Sequence, residues 1–285
     1  FHKQVIECFL IKIHLDLSQS DFLILRLAMK KNILTLLLPF FVVACTDHGD
    51  DGKTLKSVTL DDSVLKERWK VIHTIKDSIR DGDLILRCGN DLTSASFRDF
   101  SRQEKLYSHS GIALKHDGIM YVYSNMAGDI NPDEIMRRDE VDSFLTPANN
   151  VAVGVYRYDI SNEELQKLKA IINDHYVNRL AFDMNFNLAT DDKMYCAEMI
   201  AKTVETATNK RIIFPKSLIN DELKGKYLKK LLERNIVPSA KMAGEKEYYA
   251  LDNLYLNPNC REVSKIIFGK PATPTKFPAP ENYQH

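Results

Sequence analysis

Residues 107–124 read Tyr107-Ser108-His109-Ser110-Gly111-Ile112-Ala113-Leu114-Lys115-His116-Asp117-Gly118-Ile119-Met120-Tyr121-Val122-Tyr123-Ser124. Two apolar runs flank an Asp-Gly pair, and that pair readily takes the positive φ angles of a tight hairpin turn. The stretch therefore predicts two antiparallel strands. With residues 115–118 as the loop, His109 faces Ser124; with Asp117 and Gly118 alone as the loop, Ser124 faces Gly111. In either register Ser124 lies on the His109 face, because strand side chains alternate with a period of two. A histidine at the mouth of a strand, with a hydroxyl across from it, is a candidate base with an orienting partner.

Outward from this hairpin the pattern mixes helices and strands. Towards the N-terminus, Leu65, Trp69, Ile72, Ile75 and Ile79 recur at three- and four-residue steps and predict a helix capped by Asp61 or Asp62. A strand is expected over 83–88 and a short helix over 94–102. Towards the C-terminus, 151–158 reads as a strand. Ser161 and Glu164 form a capping box before a helix with Leu165, Leu168, Ile172 and Tyr176 inward. Residues 182–192 read as an irregular loop, 194–207 as a helix, 216–233 as further helix, and 248–256 and 263–268 as late strands. This order implies an α+β fold with antiparallel strands.

The second chemical stretch is Asp191-Asp192-Lys193-Met194-Tyr195-Cys196-Ala197-Glu198-Met199-Ile200. It places a cysteine in the first turn of a helix, where free N–H groups and the positive end of the helix dipole favour thiolate. A nearby imidazole can take the thiol proton and return it to a leaving group. The Cys196 amide is a natural oxyanion donor. Cys196 and His109 are thus the candidate nucleophile and base. Asp183 and Asn185, in the loop before the helix, are candidate substrate-groove residues. Tyr107 is a candidate to close over the site or simply to pack. Glu198 points away from the thiol and reads as structural.

Composition bounds the partners. The chain carries 39 basic and 39 acidic residues, so no strong field for nucleic acid is expected. Neither a metal nor a cofactor is implied, since no Cys/His spacing of the structural zinc type occurs. From Met29, the sequence has the parts of an export signal: Lys30 and Lys31, an apolar stretch over 33–44, then Val42-Val43-Ala44-Cys45. Residues 1–28 carry Lys3, Glu7, Lys12, Asp16, Asp21 and Arg26, which disfavours a membrane anchor. They are read as translation upstream of the native start. The expected organisation is a signal at 29–44, a polar tether at 45–58, a domain at 59–270 and a Pro-rich tail at 271–285. Cys88 and Cys260 remain as thiols that a domain of this size does not need to pair.

Two resemblances sharpen these readings. Val42-Val43-Ala44-Cys45 resembles the lipobox of bacterial lipoproteins, which implies cleavage before a lipidated Cys45 and an exported, membrane-anchored protein. Asp81-Gly82-Asp83-Leu84-Ile85-Leu86-Arg87, the His109 segment and Tyr195-Cys196-Ala197-Glu198-Met199-Ile200 occur in the order found in the permuted papain-like amidases of the NlpC/P60 superfamily, the YiiX/YaeF-like group. The resemblance implies a circularly permuted papain-like fold, with an antiparallel sheet packed on the Cys-bearing helix. It also implies a cysteine amidase or peptidase acting on a peptide or acyl-amide, conceivably of the cell wall. Cys196 matches the nucleophile and His109 the base. The third position departs from the family: after Tyr121-Val122-Tyr123 stands Ser124, where a Glu or His is usual. A neutral hydroxyl steadies an imidazolium less than a carboxylate does. That departure leaves room for a binding protein with weak or lost catalysis, or for an acyltransferase or thioesterase using the same Cys–His pair.

Overall fold

The structure, a computed structural model, describes residues 60–126, 134–233 and 236–269. The expectations for the signal, the tether and the tail lie outside these residues.

Asp61 caps the first helix, α1 (Asp62–Lys76), by accepting the Ser63 amide at 2.8 Å, and Ile72 and Ile75 turn inward. β1 (Leu84–Gly89) and α2 (Leu92–Arg98) follow. β2 (His109–His116) and β3 (Ile119–Ser124) form the expected hairpin. His116 pairs with Ile119, leaving Asp117 and Gly118 at φ 48° and 83° as a two-residue turn. Ile112 pairs with Tyr123, so one further step sets Ser124 opposite Gly111. Gly111 lets the strands close there: an added Cβ would come 2.5 Å from Val122 Cγ1 and 2.8 Å from the Tyr123 carbonyl oxygen.

β4 (Arg137–Glu140), α3 (Val141–Phe144) and β5 (Asn150–Tyr158) precede α4 (Asn162–Val177), whose capping box is complete. Then come α5 (Cys196–Ala207), β6 (Ser217–Leu218), α6 (Asp221–Glu233), a 3-10 turn (Met242–Glu245), β7 (Glu247–Tyr248), α7 (Leu251–Tyr255) and β8 (Cys260–Ile267). Six strands make one antiparallel sheet in the order β4-β3-β2-β1-β5-β8.

The sheet is covered on both faces. Leu84, Leu86, Ile112 and Tyr123 pack on Leu168 and Ile172 of α4 and on Met199, Ile200 and Val204 of α5. The opposite face sets Ile85, Ala113, Val122 and Val153 against Ile72 and Ile75 of α1 and against Val141 and Phe144 of α3. An ion pair ties the second face to β5. Arg157 donates from Nε at 2.6 Å and from Nη2 at 2.7 Å to the fully buried Asp83, and also reaches the Ser78 carbonyl at 2.9 Å.

One expectation fails, and one strand went unforeseen. Residues 248–256 are not a strand: only Glu247–Tyr248 is extended, and Leu251–Tyr255 is helical. The strand β4 was missed, because Arg137-Arg138-Asp139-Glu140 carries no apolar alternation at this sheet edge.

Candidate active site

The chain enters α5 through Tyr195, which adopts extended backbone and offers no side-chain cap. The first-turn amides are therefore left to other partners. Tyr195 is fixed from its far end, where its hydroxyl accepts the Tyr249 amide at 2.6 Å. Met194 is held as well: its amide donates to Ala181 O at 3.0 Å, and its carbonyl accepts from Asn125 Nδ2 at 2.7 Å. These bonds keep Met194 out of the helix, so α5 begins at Cys196 rather than at 194. They also fasten the nucleophile's segment to Asn125, the residue after β3. Asn125 is thus a positioning residue for the nucleophile's segment.

Cys196 is partly exposed. Its thiol lies against the Ser110 hydroxyl and backbone amide and against the amides of Ala197 and Cys196 itself. Burial pushes the thiol above its ordinary value, and these hydrogen-bonding groups pull it back only in part. Desolvation outweighs the helix end, contrary to the thiolate expected from sequence.

His109 opens β2 and is 7% exposed. Strand alternation points its ring to the α3 face, where it stacks obliquely on Phe144 at 5.6 Å between centroids. Burial, reinforced by the Arg87 charge, holds the imidazole well below its usual range. Its Nε2 is buried without a hydrogen-bond partner, so Nε2 has no hydrogen bond to the thiol. The resting pair is neutral thiol and neutral imidazole. Ser110, one residue on, directly contacts the thiol; alternation along β2 puts it on the α5 side, a signal the sequence carried.

The other expected residues separate. Ser124 is buried, and its Cβ lies 3.1 Å from where a Gly111 Cβ would stand, on the His109 face. Tyr107 does not close over the site: it is wholly buried, edge-on to Tyr156 and Tyr255 and against Gly154. Packing, not substrate contact, is its role. Asp183 is buried with both oxygens engaged, accepting the amides of Asn185 at 2.7 Å and of Asn187. It organises its own loop, and Asn185 points to solvent. Glu198 is fully buried and raised to about 7 by desolvation, with Lys202 pulling it down. Lys202 pairs with Glu198 at 2.8 Å and with Asp191 at 2.7 Å, and donates to the carbonyls of Leu188 and Thr190. It clamps the loop 188–191 onto α5.

Among the described residues, no three His, Cys, Asp or Glu side chains gather to hold a metal ion. Cys88 and Cys260 are free thiols. Two surface cavities, one between α1 and β8 and one beside α7, lie away from Cys196.

A cysteine opening a helix on the face of an antiparallel sheet, with histidine on an earlier strand, can be compared with known proteins. No curated protein sequence matches. The crystal structure of YiiX from Escherichia coli O157:H7, described as a metalloprotein, is similar in fold: TM-score 0.52 at 19% identity, covering 66% of this chain and 98% of that one. The model of the permuted papain-like amidases, YaeF/YiiX, C92 family, matches residues 78–251, more than half of the chain and all of β1, the His109 hairpin and the Cys196 helix. This chain belongs to that family of permuted papain-like cysteine amidases.

Proposed function

We propose that the protein hydrolyses an amide of a peptide or acylated small molecule through a thioester on Cys196, with His109 as the base. The observation that carries this is the thiol at the uncapped start of α5, held against Ser110, the residue that follows His109 in β2. A neutral imidazole with a free, buried nitrogen is the form that accepts a proton. In this reading a change of rotamer brings the His109 ring from the Phe144 side to the thiol, and as Sγ attacks the carbonyl carbon the thiol proton passes to His109. The tetrahedral oxygen is met by the first-turn amides of α5. The C–N bond breaks as the imidazolium returns the proton to the departing amine. Water, deprotonated by the same ring, then cleaves the thioester. The metalloprotein description belongs to YiiX, and among the described residues here no three His, Cys, Asp or Glu side chains gather to hold a metal ion.

The test is covalent. Incubation with p-nitrophenyl acetate should release p-nitrophenol and leave an acetyl group on Cys196, seen by peptide mass spectrometry and lost over time in water. Acetyl appearing only on lysines, with Cys196 unmodified, would defeat the reading. Ser124 enters as the orienting group: Ser124→Ala should slow acylation by about threefold, the scale of one neutral hydrogen bond, and Ser124→Glu should restore or exceed the original rate. Equal rates in all three forms would remove Ser124 from the mechanism.

We also propose, from the lipobox-like Val42-Val43-Ala44-Cys45, that the protein is exported and held in the cell envelope by lipid on Cys45. Mass spectrometry of protein extracted from membranes should find a mature N-terminus at a diacylglyceryl-modified Cys45. A retained 29–44 segment would end this proposal.

A further inference from the structure

Among the described residues, no carboxylate is paired with Arg87. Its backbone is paired with His109 across β1 and β2, so the two side chains leave the same face of the sheet. The guanidinium lies 4.7 Å from the centre of the Phe144 ring, the ring on which His109 also stacks. Arg87, Phe144 and His109 thus form one cluster on the α3 face, at the end of β2 where the next residue, Ser110, meets the Cys196 thiol from the other face.

Its hydrogen-bonding capacity is mostly unused. Nε is buried with no acceptor, and one Nη donates only to the Met126 sulfur at 3.5 Å, a weak partner. Among the described residues, no carboxylate comes within ion-pair distance of Arg87. The two that act on it from further off are already engaged: Asp139 is held by Arg137 at 3.0 Å, and Asp91 accepts the Ser94 amide and hydroxyl, each at 2.7 Å. A largely buried cation without a counter-ion is costly, and the cation–π contact offsets only part of that cost. The Arg87 charge also acts on both members of the candidate pair, against the imidazolium of His109 and in favour of a Cys196 thiolate. A guanidinium in this state is prepared for a planar anion, which it binds through two parallel hydrogen bonds.

We propose that Arg87 receives a free carboxylate of the substrate, beside the scissile amide, so that the site selects acyl-amides carrying a carboxylate next to the reacting carbonyl. Substrates of the same shape with that group amidated bind poorly. The proposal deepens the hydrolase reading and rests on Cys196 being its nucleophile.

The experiment compares two small alkylating probes, iodoacetate and iodoacetamide, which differ by one carboxylate. Rates of Cys196 modification are followed by peptide mapping, and the iodoacetate-to-iodoacetamide ratio is set against that of glutathione. The ratio cancels the thiolate fraction, which affects both reagents alike. The wild-type ratio should exceed that of glutathione by about tenfold or more, the scale of one charge-assisted hydrogen bond. Arg87→Met should return it to the glutathione value. Arg87→Lys, which keeps the charge but loses the fork, should fall between, and it serves as the second variant if Arg87→Met does not fold. A wild-type ratio equal to that of glutathione, or one that neither variant changes, overturns the proposal. If iodoacetamide still labels Cys196 in that case, and labelling depends on His109, the hydrolase reading stands and only the role of Arg87 is lost. A Cys196 that neither reagent reaches removes both.

Discussion

Cys196→Ala should give no burst of p-nitrophenol from p-nitrophenyl acetate, and His109→Ala should slow acylation by about 10²–10⁴-fold at pH 7. The first effect follows because no other described thiol is placed to replace it: Cys88 is fully buried, and burial lifts Cys260 to about 12. The second follows from the neutral resting pair. A thiol held above its ordinary value yields little thiolate at neutral pH, so attack depends on a base that takes the proton as the bond forms. The pH profile carries the sign. His109 works in its neutral form, and its lowered pKa keeps it neutral to well below pH 6.5. The acid limb of acylation should therefore lie below pH 6.5, where an unperturbed imidazole would already be half protonated. Arg87→Met removes the charge that opposes the imidazolium and should move that limb upward. Stopped-flow absorbance over a pH series reads all of this. A His109→Ala enzyme acylated at the wild-type rate would sink the assignment of the base.

Asp83→Ala should destabilise the domain by about 3–5 kcal/mol, the usual cost of stripping one partner from a buried pair. At about 2–4 °C per kcal/mol for a domain of this size, the melting temperature should drop by roughly 6–20 °C. Asp83 is wholly buried and takes both Arg157 nitrogens as well as the Arg80 amide at 2.8 Å. Its loss leaves a guanidinium facing the Ser78 carbonyl alone. The side chain of Arg157 keeps 18% of its surface exposed, which favours the lower end of the range. Removing both charges, as Asp83→Ala with Arg157→Met, should recover part of the loss, because no orphan charge remains. Scanning calorimetry that finds the single variant as stable as the wild type would contradict this account of the Gly82-Asp83 motif.

The sequence made the centre of the site legible for local reasons. Asp117-Gly118 dictates a turn with two positive φ angles, and that turn sets the register carrying His109, Gly111 and Ser124 on one face. Ser161 and Glu164 announce α4 through a capping box formed within one turn. What was illegible depends on distant partners. Every residue of Leu251–Tyr255 is buried, Asp252 and Asn253 included, so no exposed face marks a helical period, and the Tyr- and Leu-rich run around them passed for a strand. The resting state of Cys196 was misjudged because a helix end is visible in sequence whereas the burial that outweighs it is not. Which of its two readings Tyr107 takes depends on Tyr156 and Tyr255, which arrive from β5 and α7 and pack it away from the surface.

The bond from Asn125 Nδ2 to the Met194 carbonyl spans 69 positions of the chain, and it has a bearing on how the protein is made. Synthesis delivers the His109 hairpin well before the helix that carries the nucleophile, with β5 and α4 between them. Closing so long a loop costs entropy that local contacts do not return, so this juncture belongs among the late events of folding. A nascent chain thus displays its imidazole early and acquires a placed thiol only when the sheet is nearly whole.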